Sequence, residues 1–279
     1  MPGDPDPLYV AARRVLLDAL EALGPQRNAV ILVGAQAIYL HTGAIELPIA
    51  EHTTDADVTI DPSLLKDTPE IESALTSAGF FRGRRIGAWV TTTEIDGKPI
   101  NIEVDLMVPE AVGGPGRRAA RLPGHAKEIA RKARGLEAAL VNKSPMTIHA
   151  LDAADKRAFA VAVAGPAALL VSKLHKIHER IAERNQSRLD DKDALDILRL
   201  LQAVSTGDLV RVFRQLLNGT VATEVTREAL TALEELFSHS KRPGSQMAAR
   251  AAGPLANPDQ IAESCAILAT DLLVEVARR

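Results

Sequence analysis

The stretch that decides the fold of this chain is Thr53-Thr54-Asp55-Ala56-Asp57-Val58-Thr59-Ile60, which follows the shorter stretch Val33-Gly34-Ala35-Gln36. The shorter stretch predicts a glycine turn that opens a helix, and the longer one predicts a strand. Because side chains alternate along a strand, Asp55 and Asp57 are expected on one face and the apolar residues on the other. Two neighbouring carboxylates repel each other, so this arrangement favours a bound cation.

A second acidic strand is predicted over Ile100-Asn101-Ile102-Glu103-Val104-Asp105-Leu106-Met107-Val108. It follows a predicted strand over residues 88–95, and the pair Asp96-Gly97 between the two strands is a strong hairpin signal. Asp105 would then join the two aspartates of the first strand. Three carboxylates from two strands supply the hard oxygen ligands of a Mg²⁺ site for phosphoryl chemistry, so the sequence predicts such a site.

Together these features resemble the DNA polymerase β nucleotidyltransferase superfamily. Its pattern is a Gly-Gly or Gly-Ser turn, an Asp-x-Asp or Asp-x-Glu strand, and a later strand with one more Asp. The turn here is Gly34-Ala35, which departs from the pattern at its second position, although Ala is still small. The resemblance implies an α/β (α+β) fold with a polymerase β-type mixed sheet, and an NTP substrate. Backbone N–H groups after Gly34 would cradle the phosphates at the start of the helix.

The composition is that of a globular protein, since 46% of the 279 residues are hydrophobic and 25% are charged. Only 3% are aromatic, so we expect a core of aliphatic residues, which favours helices. The single cysteine, Cys265, rules out an internal disulfide and a multi-cysteine zinc site, and favours a reducing cytoplasm. No apolar run reaches the roughly 18–20 residues of a membrane span. The net charge is −3, so any binding of nucleic acid has to come from local basic patches.

The spacing of apolar residues changes along the chain. Up to about residue 164, strands and helices are mixed, with a loop expected over residues 44–52. One helix is predicted to start at Thr68-Pro69-Glu70, with Thr68 as its cap. From Pro166 onward the spacing is helical almost to the end. The sequence therefore predicts two domains, a nucleotidyltransferase domain over residues 1–164 and a helical domain over residues 165–279 that completes the active site.

The second region carries a more specific likeness. A strand ending in Ala164-Gly165-Pro166 leads into a helix that contains Lys173, and a spacer then leads to Lys192-Asp193-Ala194-Leu195-Asp196-Ile197. These motifs, in this order, resemble the AbiEii-type nucleotidyltransferase toxins, and most closely their MenT-like members. The resemblance covers roughly residues 29 to 201. The C-terminal third of the chain has no matching motif.

The resemblance implies a role for each acidic residue of the first region. Asp55 and Asp57 would bind Mg²⁺, and Asp105 would complete the set of ligands. Thr53 matches a hydroxyl position that lies beside the metal in some members of the family. Nucleotide binding would therefore involve Thr53 together with the Gly34-Ala35 turn.

The resemblance also implies a phosphate-binding lysine and its partner. Lys173 would meet the phosphates of the NTP, and Asp193 would support that lysine through an ion pair. Asp196 is the alternative to Asp193, because the spacer varies in length across the family. Helix capping is a second explanation for Asp193, because it lies in the first turn of its predicted helix. The family further implies an RNA acceptor, with nucleotides added to the 3′ end of tRNA, and a cognate antitoxin as partner.

Two basic features offer an RNA-binding surface independently of the resemblance. One is the segment from Arg117 to Arg134, in which Arg117, Arg118 and Arg121 come first. The other is a stripe of basic residues, spaced three or four apart along the helix after Pro166, that contains Lys176, Arg180 and Arg184. Several such charges could hold a phosphate backbone despite the acidic net charge. The alternative is an ordinary solvated surface.

The leading hypothesis is a Mg²⁺-dependent nucleotidyltransferase of the cytoplasm, which transfers NMP from an NTP to RNA as the toxin of a toxin–antitoxin pair. Two alternatives stay open. In one, the acceptor is the hydroxyl of a protein or a small molecule. In the other, the domain binds NTP without catalysing transfer.

Overall fold

The computed structural model describes residues 5–43, 53–183, 190–219, 221–253 and 256–278. The predicted loop over residues 44–52 and the basic residue Arg184 lie outside these described residues. The strands are β1 Val30–Val33, β2 Asp55–Ile60, β3 Phe81–Arg82, β4 Ala88–Ile95, β5 Lys98–Pro109, β6 Arg131–Ala133, β7 Lys143–His149 and β8 Ala158–Ala164. The helices are α1 Pro7–Leu23, α2 Gly34–Thr42, α3 Ile71–Ser77, α4 Glu137–Val141, α5 Pro166–Ala182, α6 Asp191–Ala203, α7 Thr206–Asn218, α8 Thr223–Phe237, α9 Pro243–Ala251 and α10 Pro258–Ala277.

The strands form one mixed sheet in the order β3-β4-β5-β2-β1-β8-β7, and β6 pairs with the C-terminal end of β5. The acidic strand β2 lies inside the sheet, antiparallel to β1 and parallel to β5. β1 is in turn parallel to β8, and β8 forms an antiparallel hairpin with β7. The predicted mixed α/β architecture with a mixed sheet is confirmed.

The local patterns that predicted the central strands hold in the structure. Along β2 the side chains of Ala56, Val58 and Ile60 are each 1% exposed, as the alternation requires. β4 and β5 form an antiparallel hairpin whose turn residues Asp96 and Gly97 have φ values of 51° and 71°. Positive φ at both positions is the geometry that the Asp-Gly pair predicts.

The predicted start of α3 is wrong. The helix begins at Ile71, with Glu70 as its N-cap, and not at Thr68. The reason is a distant partner: the N–H of Ile71 donates to Nδ1 of His125 at 3.2 Å. His125 Nε2 also contacts the carbonyl of Lys66 at 2.9 Å, which fixes the segment before the helix. A hydrogen bond across 54 residues replaces the local cap that the sequence predicted.

The chain forms two compact units. The first contains the sheet and comprises Met1–Ala37, Ala50–Ala133 and Lys143–Ala164. The second is helical and comprises Ile38–Ile49, Arg134–Asn142 and Gly165–Arg279. The helical unit therefore takes in two stretches that precede residue 165. One of them contains the short helix α4, whose buried residues pack against α5 and α8. No helix in the described residues is both long enough and apolar enough to cross a membrane.

Candidate functional site

Four carboxylates share one face of the sheet because of the way β2 pairs with β5. The strands are parallel, with Asp57 directly opposite Asp105 and Asp55 opposite Glu103. Opposed residues on adjacent strands point to the same face, and so do residues two apart on one strand. The carboxylate of Glu103 forms an ion pair with Arg85. The three predicted aspartates therefore lie on a common face as a direct result of the strand register.

Gly34 begins α2 immediately after β1, and its φ is 69°. Because β1 and β2 are antiparallel with Val33 opposite Asp57, the carboxylate of Asp57 lies over Gly34. A Cβ atom at Gly34 would be only 2.2 Å from Oδ2 of Asp57. The position needs glycine for its backbone conformation and for the space above it. Ala35 follows in the first turn of α2 and is buried; its role in holding phosphates stays a prediction.

Asp55 is held through both its side chain and its backbone. The hydroxyl of Thr53, which is buried, donates to Oδ1 of Asp55 at 2.8 Å. The side-chain amide of Gln36 donates to the backbone oxygen of Asp55 at 3.1 Å. Thr53 is thus beside the acidic pair, and its role in nucleotide binding stays a prediction.

Asp105 is buried and bound by Arg131, which lies on β6. Arg131 Nε donates to both carboxylate oxygens, to Oδ1 at 3.3 Å and to Oδ2 at 3.0 Å. Arg131 Nη2 donates to Oδ2 at 2.8 Å and also contacts the sulfur of Met107 at 2.8 Å. Such a two-pronged, charge-assisted contact is stronger than a single neutral hydrogen bond. Both oxygens of Asp105 are therefore engaged by one guanidinium group.

A divalent metal ion such as Mg²⁺ needs several oxygen ligands close together in one site. The carboxylates of Asp55 and Asp57 fit in chemistry and in position, because Mg²⁺ prefers hard oxygen ligands and the two share one face. Asp105 lies opposite Asp57 on the same face, but a metal ion there would compete with Arg131 for both of its oxygens. In the part of the chain that the structure describes, no three His, Cys, Asp or Glu side chains are grouped as metal ligands. Mg²⁺ ligation by all three aspartates stays a prediction.

A buried charge cluster lies in the helical unit around Lys173 of α5. Lys173 is 5% exposed, and its Nζ donates to Oδ1 of Asp193 at 2.6 Å and to Oδ2 of Asp196 at 2.8 Å. Burial alone would lower the pKa of Lys173, but the two carboxylates outweigh burial and raise it well above its ordinary value. Both of the aspartates that the sequence offered as alternatives bind the lysine, because they are three residues apart on one face of α6.

Asp193 is the centre of this cluster. Besides Lys173, it accepts from Nζ of Lys176 at 2.9 Å and from Nη1 of Arg180 at 3.0 Å. Burial would raise the pKa of Asp193, but Lys173 and Lys176 together lower it far below its ordinary value. Lys176 and Arg180 of the predicted basic stripe are therefore bound to a carboxylate. Oδ1 of Asp196 is buried and has no hydrogen-bond partner among the described residues.

The arginines of the other predicted RNA-binding feature face solvent. Arg117, Arg118 and Arg121 are all exposed. The backbone of this segment is fixed: the N–H of Arg121 donates to the carbonyl of Gly113 at 2.9 Å, and the carbonyl of Arg118 accepts from the N–H of Lys132 at 2.7 Å. The three side chains thus extend from a loop that is tied to the rest of the first unit.

Three residues of the site have contacts that the sequence analysis did not predict. Arg131 lies within the basic segment from Arg117 to Arg134 but was not singled out, and Gln36 was considered only as part of the glycine turn. Arg13 is buried on α1 among aliphatic residues, and its Nε donates to Oε1 of Gln36 at 2.8 Å. A signal for Arg13 does exist in the sequence, because it interrupts the apolar face of an amphipathic helix. The partner of Arg131 has no local signal.

Comparison with known protein families identifies a match. A family model described as "Nucleotidyltransferase" matches residues 13–218, which is most of the chain. The matched stretch contains the acidic face of the sheet, the Gly34 turn and the Lys173 cluster. A search among curated proteins gave no match.

Proposed function

Because the chain belongs to the nucleotidyltransferase family and is therefore a nucleotide-transferring enzyme, we propose that it transfers NMP from an NTP to RNA. The observation that carries the proposal is the position of Asp55 and Asp57 on one sheet face, with Asp57 against Gly34 at the start of α2. A helix N-terminus favours negative charge, so a triphosphate beside this turn would be stabilised by the backbone.

In the proposed reaction, a hydroxyl oxygen of the acceptor attacks the α-phosphorus of the NTP. The bond from that phosphorus to the bridging oxygen breaks, pyrophosphate leaves, and the proton of the hydroxyl passes to solvent. Asp55 and Asp57 would hold a divalent metal ion, which when bound neutralises phosphate charge. Thr53 and Gln36 keep Asp55 in one orientation. Most of the catalysis in such a reaction comes from positioning and electrostatics.

The proposed acceptor is RNA, namely the 3′ end of a tRNA. The resemblance to AbiEii-type toxins supports this acceptor, and so does the exposure of Arg117, Arg118 and Arg121. Each phosphate that is neutralised adds a contribution to affinity that weakens as salt rises. Nucleotide addition to tRNA would block translation, so we further propose that the chain is the toxin of a toxin–antitoxin pair.

Lys173 remains the proposed phosphate-binding lysine. Its two carboxylate partners set a condition on that role: Lys173 has to share its ammonium protons between a phosphate and the pair Asp193 and Asp196. An ammonium group has three N–H donors, and two are used by these carboxylates. The third is the donor that the proposal assigns to the nucleotide.

The proposal is tested by incubating the protein with Mg²⁺ and each of the four α-³²P-labelled NTPs, with total RNA or without it. Label is expected in a tRNA-sized band for the wild type. Asp57→Asn is expected to abolish the label, because it removes one charge from the acidic pair. The matched control is Glu94→Gln, which changes an exposed carboxylate on β4. Label on the protein in place of RNA would reject the RNA acceptor, and equal labelling by Asp57→Asn would reject the assigned site.

The toxin role needs a separate experiment in cells. Inducible expression of the wild type is expected to arrest growth, and expression of Asp57→Asn at the same level is expected to permit it. Arrest by both proteins would contradict the link between nucleotidyl transfer and toxicity.

A further inference from the structure

Arg13 carries a buried charge whose hydrogen-bond partners in the described part of the chain are neutral groups. It is 3% exposed, and its three acceptors within the described residues are Oε1 of Gln36 at 2.8 Å, the carbonyl of His149 at 3.0 Å and the hydroxyl of Tyr9 at 2.9 Å. A buried charge is costly unless it is both paired with an opposite charge and hydrogen-bonded, and among the described residues Arg13 has hydrogen bonds without an ion pair. An apolar residue of similar size would avoid that cost, so the guanidinium group points to a role beyond packing.

The contact with Arg13 fixes which way the Gln36 amide faces. A guanidinium group only donates hydrogen bonds, so the group that faces it has to be the amide oxygen of Gln36. The amide nitrogen is then directed to the backbone oxygen of Asp55, at 3.1 Å. Gln36 is 1% exposed, so water does not compete for either bond.

These two hydrogen bonds form a relay from Arg13 through Gln36 to Asp55, which is the first residue of β2. The backbone oxygen of Asp55 is held by Gln36, while its carboxylate is held by Thr53. Gln36 lies in the first turn of α2, two residues after Gly34. The relay thus links α1, the first turn of α2 and the acidic strand in a single chain of hydrogen bonds.

We infer that Gln36, oriented by Arg13, is a positioning residue that fixes the peptide of Asp55 so that its carboxylate is presented to a metal-bound nucleotide. The inference rests on the proposed function, because it requires Asp55 to act as a ligand. Mutation of a residue that hydrogen-bonds to a metal ligand typically lowers metal affinity or activity by about 10–100-fold.

Gln36→Glu separates positioning from packing. Glutamate keeps an oxygen for Arg13 and adds an ion pair, so this contact persists. It has no N–H for the backbone oxygen of Asp55, and the two oxygens repel each other. A purely structural residue would lose stability in this variant, whereas a positioning residue would lose affinity for the ligand.

The experiment measures the affinity for Mn²⁺ with a non-hydrolysable ATP analogue, by the loss of the free Mn²⁺ signal in electron paramagnetic resonance, and it measures the melting temperature in parallel. Four proteins are compared: the wild type, Asp55→Asn, Gln36→Glu and the control Arg14→Gln. Arg14 is adjacent to Arg13 but forms an ion pair at the surface with Asp152. Gln36→Met, of similar volume and without a donor, is the second variant in case Gln36→Glu does not fold.

The expected result is tight binding by the wild type and by Arg14→Gln, loss of binding in Asp55→Asn, and binding about 10–100-fold weaker in Gln36→Glu at an unchanged or higher melting temperature. Wild-type affinity in Gln36→Glu, with binding lost in Asp55→Asn, would overturn the inference and leave the proposed function standing. A fall in melting temperature at unchanged affinity would also overturn it. If Asp55→Asn binds like the wild type, the proposed site fails and the inference fails with it.

Discussion

The carboxylate of Asp57 occupies the space where a side chain at Gly34 would begin, with 2.2 Å between Oδ2 and the position of such a Cβ atom. The glycine of the turn and the second aspartate of β2 are therefore one structural unit, although 23 residues separate them in the chain. A change at Gly34 necessarily affects Asp57.

We predict that Gly34→Ala abolishes nucleotidyl transfer, because the added methyl group has to displace the Asp57 carboxylate. The left-handed backbone adds about 1–2 kcal/mol of strain. The matched control is Gly97→Ala in the β4–β5 turn, where φ is 71° and no atom lies within 4 Å of the added methyl group. Both variants are expected to lose stability in urea unfolding, Gly34→Ala more than Gly97→Ala because of the displaced carboxylate, and only Gly34→Ala is expected to lose transfer. Normal transfer by Gly34→Ala would contradict the prediction.

Arg131→Met is predicted to strengthen Mn²⁺ binding, because the guanidinium group competes with a cation for the oxygens of Asp105. The variant also leaves a buried carboxylate without its donor, so we expect a loss of about 1–3 kcal/mol of stability. Calorimetric titration with Mn²⁺ measures the first effect, and urea unfolding the second. Lys132→Met is the control, since the Lys132 ammonium donates to the exposed carbonyl of Gly114. Weaker binding in Arg131→Met would show that Arg131 supports the site and does not compete with it.

Lys173→Met is predicted to lower the free energy of unfolding by about 3–5 kcal/mol, because it leaves two buried carboxylates without their shared cation. Adding Asp196→Asn to the same protein should recover part of the loss. Lys176→Met is the control and should cost less than about 1 kcal/mol, because Lys176 is 40% exposed and Asp193 keeps two other partners. Urea unfolding measures all three proteins. Equal effects of the two lysine variants would mean that the cluster does not depend on Lys173.

The lowered pKa of Asp193 predicts a dependence of stability on acid. A group whose folded pKa is below its unfolded value stabilises the protein above the unfolded pKa, here about 3.8, and loses that contribution as the pH falls through the folded value. The unfolding free energy of the wild type should therefore fall below about pH 4. Asp193→Asn should start less stable at neutral pH and show a shallower fall in acid. Parallel curves for the two proteins would contradict the assignment.

The structural features that were predicted correctly depend on residues that are neighbours in the sequence. The β4–β5 hairpin follows from Asp96-Gly97, and the buried face of β2 follows from its alternation. No residue in the sequence predicted the register of β2 against β5. The acidic patterns of the two strands were still enough to predict that Asp57 and Asp105 would lie close together. Local propensity and tertiary structure agree in these elements.

What the sequence could not supply depends on partners far apart in the chain. The start of α3 was predicted wrongly because its cap comes from His125. Arg131 was included in a basic segment interpreted as an RNA-binding or solvated surface, because nothing near it in the sequence indicates Asp105 as its partner. The spacing of the motifs could not decide whether Asp193 or Asp196 is the partner of Lys173. In the structure both carboxylates bind Lys173.

The order of segments in the two compact units has a consequence for evolution and for protein engineering. The chain passes from one unit to the other at residues 37, 49, 133, 142 and 164. A gene fragment that ends at residue 164 would therefore carry α4 without the helices that bury it, and the complementary fragment would lack it. Neither half is an exchangeable module. We expect recombination at this position to yield insoluble fragments, and relatives to inherit the matched region as a whole.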